Sequence, residues 1–131
     1  MAVAIAGIFA AIAYPSYQDQ IRKSRRTDGI GPLSSLASQL EKYAYDNNGS
    51  YTDANLSASI SGMLGTSPEG YYSISMPTLT ATTYEARAAP ITGKSQTSDS
   101  ECATFILKSS GAKDVTGSCS SGSGNCVDRC W

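Results

Sequence analysis

Histidine is absent from all 131 residues of this chain. That removes the commonest general base, the Ser–His and Cys–His nucleophile pairs, and any metal site with an imidazole ligand. Net charge is also nearly absent, at −1, so no overall field draws the chain to nucleic acid. No apolar run of spanning length is present either. Residues 1–14 are apolar or small but fall short of the roughly 20 residues that a bilayer requires. Asp99 and Glu101, close in sequence, sit in a polar loop with no base, no nucleophile elbow and no third group, so hydrolytic chemistry has no basis. Asp46, Asp53 and the neighbouring asparagines do not match a calcium loop. The chain is expected not to be an enzyme and to need no cofactor or metal.

What charge there is lies unevenly. Arg22, Lys23, Arg25 and Arg26 form a basic neck, whereas the chain from Thr27 onward holds six basic against ten acidic residues, a net of −4. Four cysteines, Cys102, Cys119, Cys126 and Cys130, crowd the last thirty residues, in and beside a Gly/Ser-rich stretch that cannot build a core. Sixteen, six and three residues separate them, which is not the paired close spacing of a thiolate zinc site. Disulfides in an oxidising compartment are the reading, with all three pairings open.

"MAVAIAGIFAAIAYPSYQDQIRKSRR" (1–26) opens on fourteen uncharged residues without a polar face at helical spacing. A helix apolar all round belongs in lipid or in the centre of an assembly. The run reads as the end of a longer one, which about six further apolar residues would complete to a membrane span. Tyr14 and Tyr17 fall where an interfacial aromatic belt would sit. From Pro32, Leu33, Leu36, Ala37, Leu40, Tyr43 and Ala44 recur at three- and four-residue steps, and this stripe predicts a helix laid on a sheet. "GIGP" (29–32) is poor helix interior, so the helix is expected to kink there, or to stop and restart. "DNNGS" (46–50) ends the helix, with Gly49 suited to the left-handed cap. Residues 50–70 read as a loop. Strands are expected at 71–76, 82–88 and 103–108, with Pro77 in a connection and a short fourth strand at 113–116. Short connections make these an antiparallel meander.

Taken together, "GIFAAIAYPSYQDQIRKS", "QLEKYAYDNNGSYT", "EGYYSISM", "TTYEARAAP", "ECATFILKSSGAK" and the closing "CW" resemble the type IV pilins, and the PilE-like minor pilins in particular. The likeness spans nearly all of the chain. It implies an α+β lollipop fold: a long N-terminal helix packed on a four-stranded antiparallel sheet, with a disulfide-closed C-terminal loop. Residues 1–26 would protrude as apolar helix and basic neck, and 27–131 would form a single globular head, with Leu33, Leu36, Leu40 and Tyr43 between helix and sheet. The family's acidic residue at the start of the helix is not among these 131 residues. The resemblance pairs Cys102 with Cys130 and leaves Cys119 to Cys126.

Function follows the same resemblance. The subunit would wait in the inner membrane of a Gram-negative bacterium and then join an extracellular helical pilus with copies of itself or with other pilins, driven by an assembly machine. Ala4, Ile5, Gly7, Ile8, Phe9, Ala11 and Ile12 would pack in the fibre core. Large side chains there gain roughly 1.5–3 kcal/mol each on burial, and small ones admit close helices. Pro15 takes a hydrogen bond from the helix and Gly7 adds freedom, so the stretch between them is expected to be extended in the fibre. Adhesion, twitching motility or DNA uptake are the implied uses. A secretion pseudopilin and a membrane-tethered binding or adhesin module are the alternatives. The neck's cations are expected to pair with Asp19, Asp28 or a neighbour's acids, with DNA as a further candidate partner.

Overall fold

The computed structural model describes residues 2–52, 56–119 and 124–131, with side chains from residue 14 onward except those of 124–126. A single helix, α1 (Ala2–Asp46), runs for 45 residues with Pro15 and Pro32 inside it, about 67 Å at 1.5 Å per residue. It does not stop at "GIGP". Gly29 is accepted because it lies on the buried face: a Cβ there would stand 2.9 Å from Cγ of Tyr72. The helix thus trades local propensity for the close approach of an aromatic ring. It ends as the sequence implies. Asn48 and Gly49 take positive φ (54° and 83°), and the Gly49 N–H reaches back to the Ala44 carbonyl at 2.7 Å.

After α1 come a short helix α2 (Leu56–Ser59) and five strands: β1 (Gly65–Thr66), β2 (Tyr72–Leu79), β3 (Tyr84–Pro90), β4 (Phe105–Lys108) and β5 (Lys113–Val115). They form one antiparallel sheet in sequence order. The expected four-stranded sheet therefore has five strands. The additional one, β1, is two residues long and lies in the stretch read as loop, below the length at which alternation becomes visible. Pro77 belongs to β2 rather than to a connection. The β2–β3 register shifts between Ser75 and Thr78, and such an irregularity spares the proline the N–H it lacks.

Leu33, Leu36 and Leu40 are fully buried and Tyr43 nearly so, against Tyr72, Ile74, Tyr84, Phe105, Leu107 and Val115. Ala86 and Ala88 of the central strand β3 are buried too. Their small side chains leave room for the helix to lie close to the sheet. A last helix, α3 (Gly124–Cys130), is tied back by the Cys102–Cys130 disulfide. Trp131 then packs edge-on to Phe105 at 5.6 Å and donates its indole N–H to the Asp114 carbonyl at 2.9 Å. A segment with little core of its own is thus held by a covalent bond and a packed ring.

Candidate functional site

Stepping back from Leu40, Leu36 and Leu33 at helical spacing reaches Gly29, Arg26 and Arg22. The sheet-facing side of α1 thus changes from apolar to glycine to cationic as it leaves the sheet. Two polar clasps hold it there, one on each side.

The first clasp is Arg26. Its Nε and one terminal nitrogen donate to the two carboxylate oxygens of Asp99, at 2.7 and 3.0 Å, and a Glu101 oxygen lies 3.6 Å away. Arg26 and Asp99 are both buried. Burial alone would lower the guanidinium pKa, but the hydrogen bond and charge of Asp99, with Glu101 behind it, outweigh burial and raise it. Asp99 also accepts from the Gln96 side-chain amide and the Cys102 backbone N–H, each at 3.2 Å. Gln96 in turn donates to the Arg22 carbonyl. The carboxylate therefore organises the loop before β4 as well as the helix.

The second clasp is Asp28. Its carboxylate accepts the Ser67 hydroxyl at 2.5 Å, the Glu69 N–H at 2.8 Å and the Tyr71 N–H at 3.1 Å. Ser67 passes the network on by accepting the Tyr72 N–H. A turn with Gly70 at φ 78° points these donors inward. Asp28 was one of three alternatives, with Asp19 and a neighbour's acids, expected to pair with the neck's cations. It binds the turn before β2 instead, because it lies on a different side of the helix from Arg26.

The other neck residues divide by face. Arg25 donates to Ser95 Oγ at 2.6 Å and lies 4.5 Å from the centroid of the Tyr71 ring. Arg22 pairs with Asp19 at 2.9 Å on the surface, a contact of small value in water. Lys23 is exposed and has no carboxylate within 4 Å among the described residues. Asp99 and Glu101, set aside as an idle loop pair, are the counter-ions of this junction. No sequence pattern pairs Arg26 with a residue 73 positions away, but its place on the buried stripe was a usable signal.

A cleft of about 240 Å³ between neck and loop is lined by Asp19, Arg22, Lys23, Arg26, Asp99 and Glu101. Its charges are largely consumed in pairs, leaving little for chemistry on a substrate. On the other side of α1 runs a groove of about 700 Å³, lined by Thr27, Gly31, Pro32, Ser35, Met63, Glu69 and Ile74 among others. Among the described residues, no group of His, Cys, Asp or Glu side chains could hold a metal ion, and no helix is long and apolar enough to cross a membrane.

Of the remaining candidate positions, Pro15 is an exposed member of α1. Ala4, Ile5, Gly7, Ile8, Phe9, Ala11 and Ile12 lie outside the residues whose side chains are described. Cys119 is disulfide-bonded, and its expected pairing with Cys126 involves a side chain outside that set. Glu41 was not singled out by sequence, yet it accepts from Tyr51 Oη at 2.8 Å and Tyr84 Oη at 3.4 Å. It fastens the loop after α1 to β3.

No curated protein matches the chain. A family model does, that of the type IV minor pilin ComP, DNA uptake sequence receptor, over residues 15–106. The match takes in the basic neck, both clasps and the sheet through the first half of β4. This chain, a long helix clasped to an antiparallel meander, belongs to that family of type IV minor pilins.

Proposed function

We propose that this minor pilin is held in the inner membrane and then in the pilus by the apolar start of α1, and that its head captures DNA for uptake. The family match over residues 15–106 carries the reading, because the family is described as a DNA uptake sequence receptor. The protruding segment is residues 1–26 and the head is 27–131. The assembly machine supplies the energy, and burial among neighbouring helices replaces burial in lipid. Gly7 to Pro15 unwinds in the fibre, where an assembled-fibre map with unbroken helix over 8–14 would exclude it.

The neck is a poor DNA surface, since Arg22, Arg25 and Arg26 are engaged within the subunit. The head offers Lys94, Lys108 and Lys113, which have no carboxylate within 4 Å among the described residues. Lys94 and Lys113 are exposed and Lys108 half-buried. Lys113 sits 5.1 Å from the centroid of the Trp131 ring. Such cations reach phosphates, whose release of counterions makes binding steeply dependent on salt. The test is titration of the purified head with duplex DNA carrying an uptake sequence, at several salt concentrations. Binding is expected, and Lys108→Ala with Lys113→Ala flattens the salt slope by about 0.9 per lost phosphate contact. Failure to bind such DNA any better than unrelated duplex removes the receptor reading and leaves a fibre subunit.

A further inference from the structure

The stretch between β3 and β4, residues 91–104, buries few of its side chains: only Gln96, Asp99 and Cys102. Two of these are polar and serve the neck. Asp99 holds Arg26, and Gln96 donates to the Arg22 carbonyl. Ser95 beside them accepts from Arg25. The third, Cys102, is crosslinked to Cys130 of α3. The anchor of the neck is thus a polar loop whose one buried sulfur belongs equally to the tail.

The tail lies directly on this loop. The Ser118 N–H donates to the Ser100 carbonyl at 2.8 Å and the Cys119 N–H to the Glu101 carbonyl at 3.1 Å. Gly117 permits the approach. Its φ is 121°, and a Cβ there would stand 2.6 Å from the Ser100 oxygen and 2.7 Å from the Glu101 oxygen. The Glu101 side chain then bridges tail and neck, with one oxygen 3.2 Å from Arg129 of α3 and the other 3.6 Å from Arg26 of α1. Cys102 completes the connection by donating its N–H to Asp99. A buried ion pair is strong only while its partners are held together out of water. Here part of the holding falls to a Gly/Ser-rich tail, which has little core to keep it in place and depends on its crosslink.

We infer that the Cys102–Cys130 bond is a redox lock on the neck: α1 is clasped through Arg26 only when the tail is oxidised. Without the bond the tail leaves residues 99–102, water reaches Asp99, and its pair with Arg26 falls to the small value of a surface ion pair. The Leu33–Leu36–Leu40 stripe still holds the rest of the helix on the sheet. Locking is a two-electron exchange. A disulfide-bearing oxidant takes two electrons and two protons from the Cys102 and Cys130 thiols, which become the bond while the oxidant becomes a dithiol. A dithiol reductant reverses the exchange. The neck thereby senses the state of the far end of the chain, whatever the head captures.

The experiment labels the full chain, in detergent micelles, with phenylglyoxal, which modifies accessible guanidinium groups. Peptide mass spectrometry reads Arg22 and Arg26 separately. In the oxidised protein Arg26 is expected to label about tenfold more slowly than half-buried Arg22, since it reacts only when the clasp opens. Dithiothreitol should bring the two rates together, while the backbone amides of Leu33–Tyr43 keep their protection from hydrogen exchange. Removal of the dithiothreitol and reoxidation should restore the difference. Dithiothreitol also opens the bond at Cys119, so two paired variants assign the effect. Cys102→Ser with Cys130→Ser should expose Arg26 without reductant, and Cys119→Ser with Cys126→Ser should leave it shielded. Arg26 still shielded after full reduction overturns the lock, because the clasp then stands without the tail. Arg26 exposed only together with the Leu33–Tyr43 amides overturns it too, because the bond then stabilises the head as a whole. So does exposure of Arg26 by the second pair of substitutions.

Discussion

Arg26 and Asp99 face each other through two hydrogen bonds in the interior, although 73 residues separate them. Removing one partner strands the other charge out of water. Asp99→Ala is therefore expected to destabilise the head by about 3–5 kcal/mol, measured by urea denaturation. Arg22→Ala, which breaks only the surface pair with Asp19, should change stability by less than about 1 kcal/mol in the same assay. Equal losses for the two substitutions would show that the buried clasp does not anchor the neck.

The two glycines of "GIGP" should respond in opposite directions. Gly29→Ala places a methyl 2.9 Å from a ring carbon of Tyr72, and overpacking of this kind costs about 1–3 kcal/mol. Gly31→Ala meets open space and should gain up to about 1 kcal/mol from helix propensity. Thermal melting of the two variants checks the sign of each.

Alkaline pH should unfold the head through its buried tyrosines. Burial pushes the Tyr72 hydroxyl up to about 12. Burial, then the charge of Glu41, does the same to Tyr84. Both raised values mean that the folded state keeps protons which the unfolded chain gives up from pH 10. Their contribution is complete below pH 10 and is lost as pH rises towards 12. Tyr72→Phe should flatten this decline. It should cost little at neutral pH, because the buried Tyr72 hydroxyl, beside the Gln96 side chain, makes no hydrogen bond of good geometry among the described residues. Denaturation midpoints at pH 8, 10 and 11 check it.

The Cys102–Cys130 bond closes a loop across 28 positions. In the chain-entropy account that is worth about 3–4 kcal/mol. Cys102→Ser with Cys130→Ser should lower stability by this order and release Trp131 from Phe105. A red shift of tryptophan emission, before global unfolding, would report that release.

The Leu33–Leu36–Leu40 stripe, the cap at Gly49 and the alternation of Tyr84, Ala86 and Ala88 were all legible beforehand. Each is a local pattern whose period states which face is buried. Glycine and proline misled at Pro77 and in allowing a helix stop at "GIGP". Their local cost is real, but a ring against Gly29 and an irregular register beside Pro77 absorb it, and neither is visible from neighbours in the chain. The two-residue strand β1 carries no alternation to read.

The amino-acid sequence alone determined the amphipathic helical stripe from Pro32 onward, the meander, the basic neck over an acidic body and the cysteine-rich tail, because periodicity and composition are properties of adjacent residues. Only the tertiary structure decided that Arg26 is a buried clasp while Lys23 stays outside, that Asp28 binds a turn instead of an arginine, and that a groove remains beside Gly31. Those outcomes depend on which distant segments the folded chain brings within a few ångströms, where charge and hydrogen bonding, weak in water, become strong enough to choose among them.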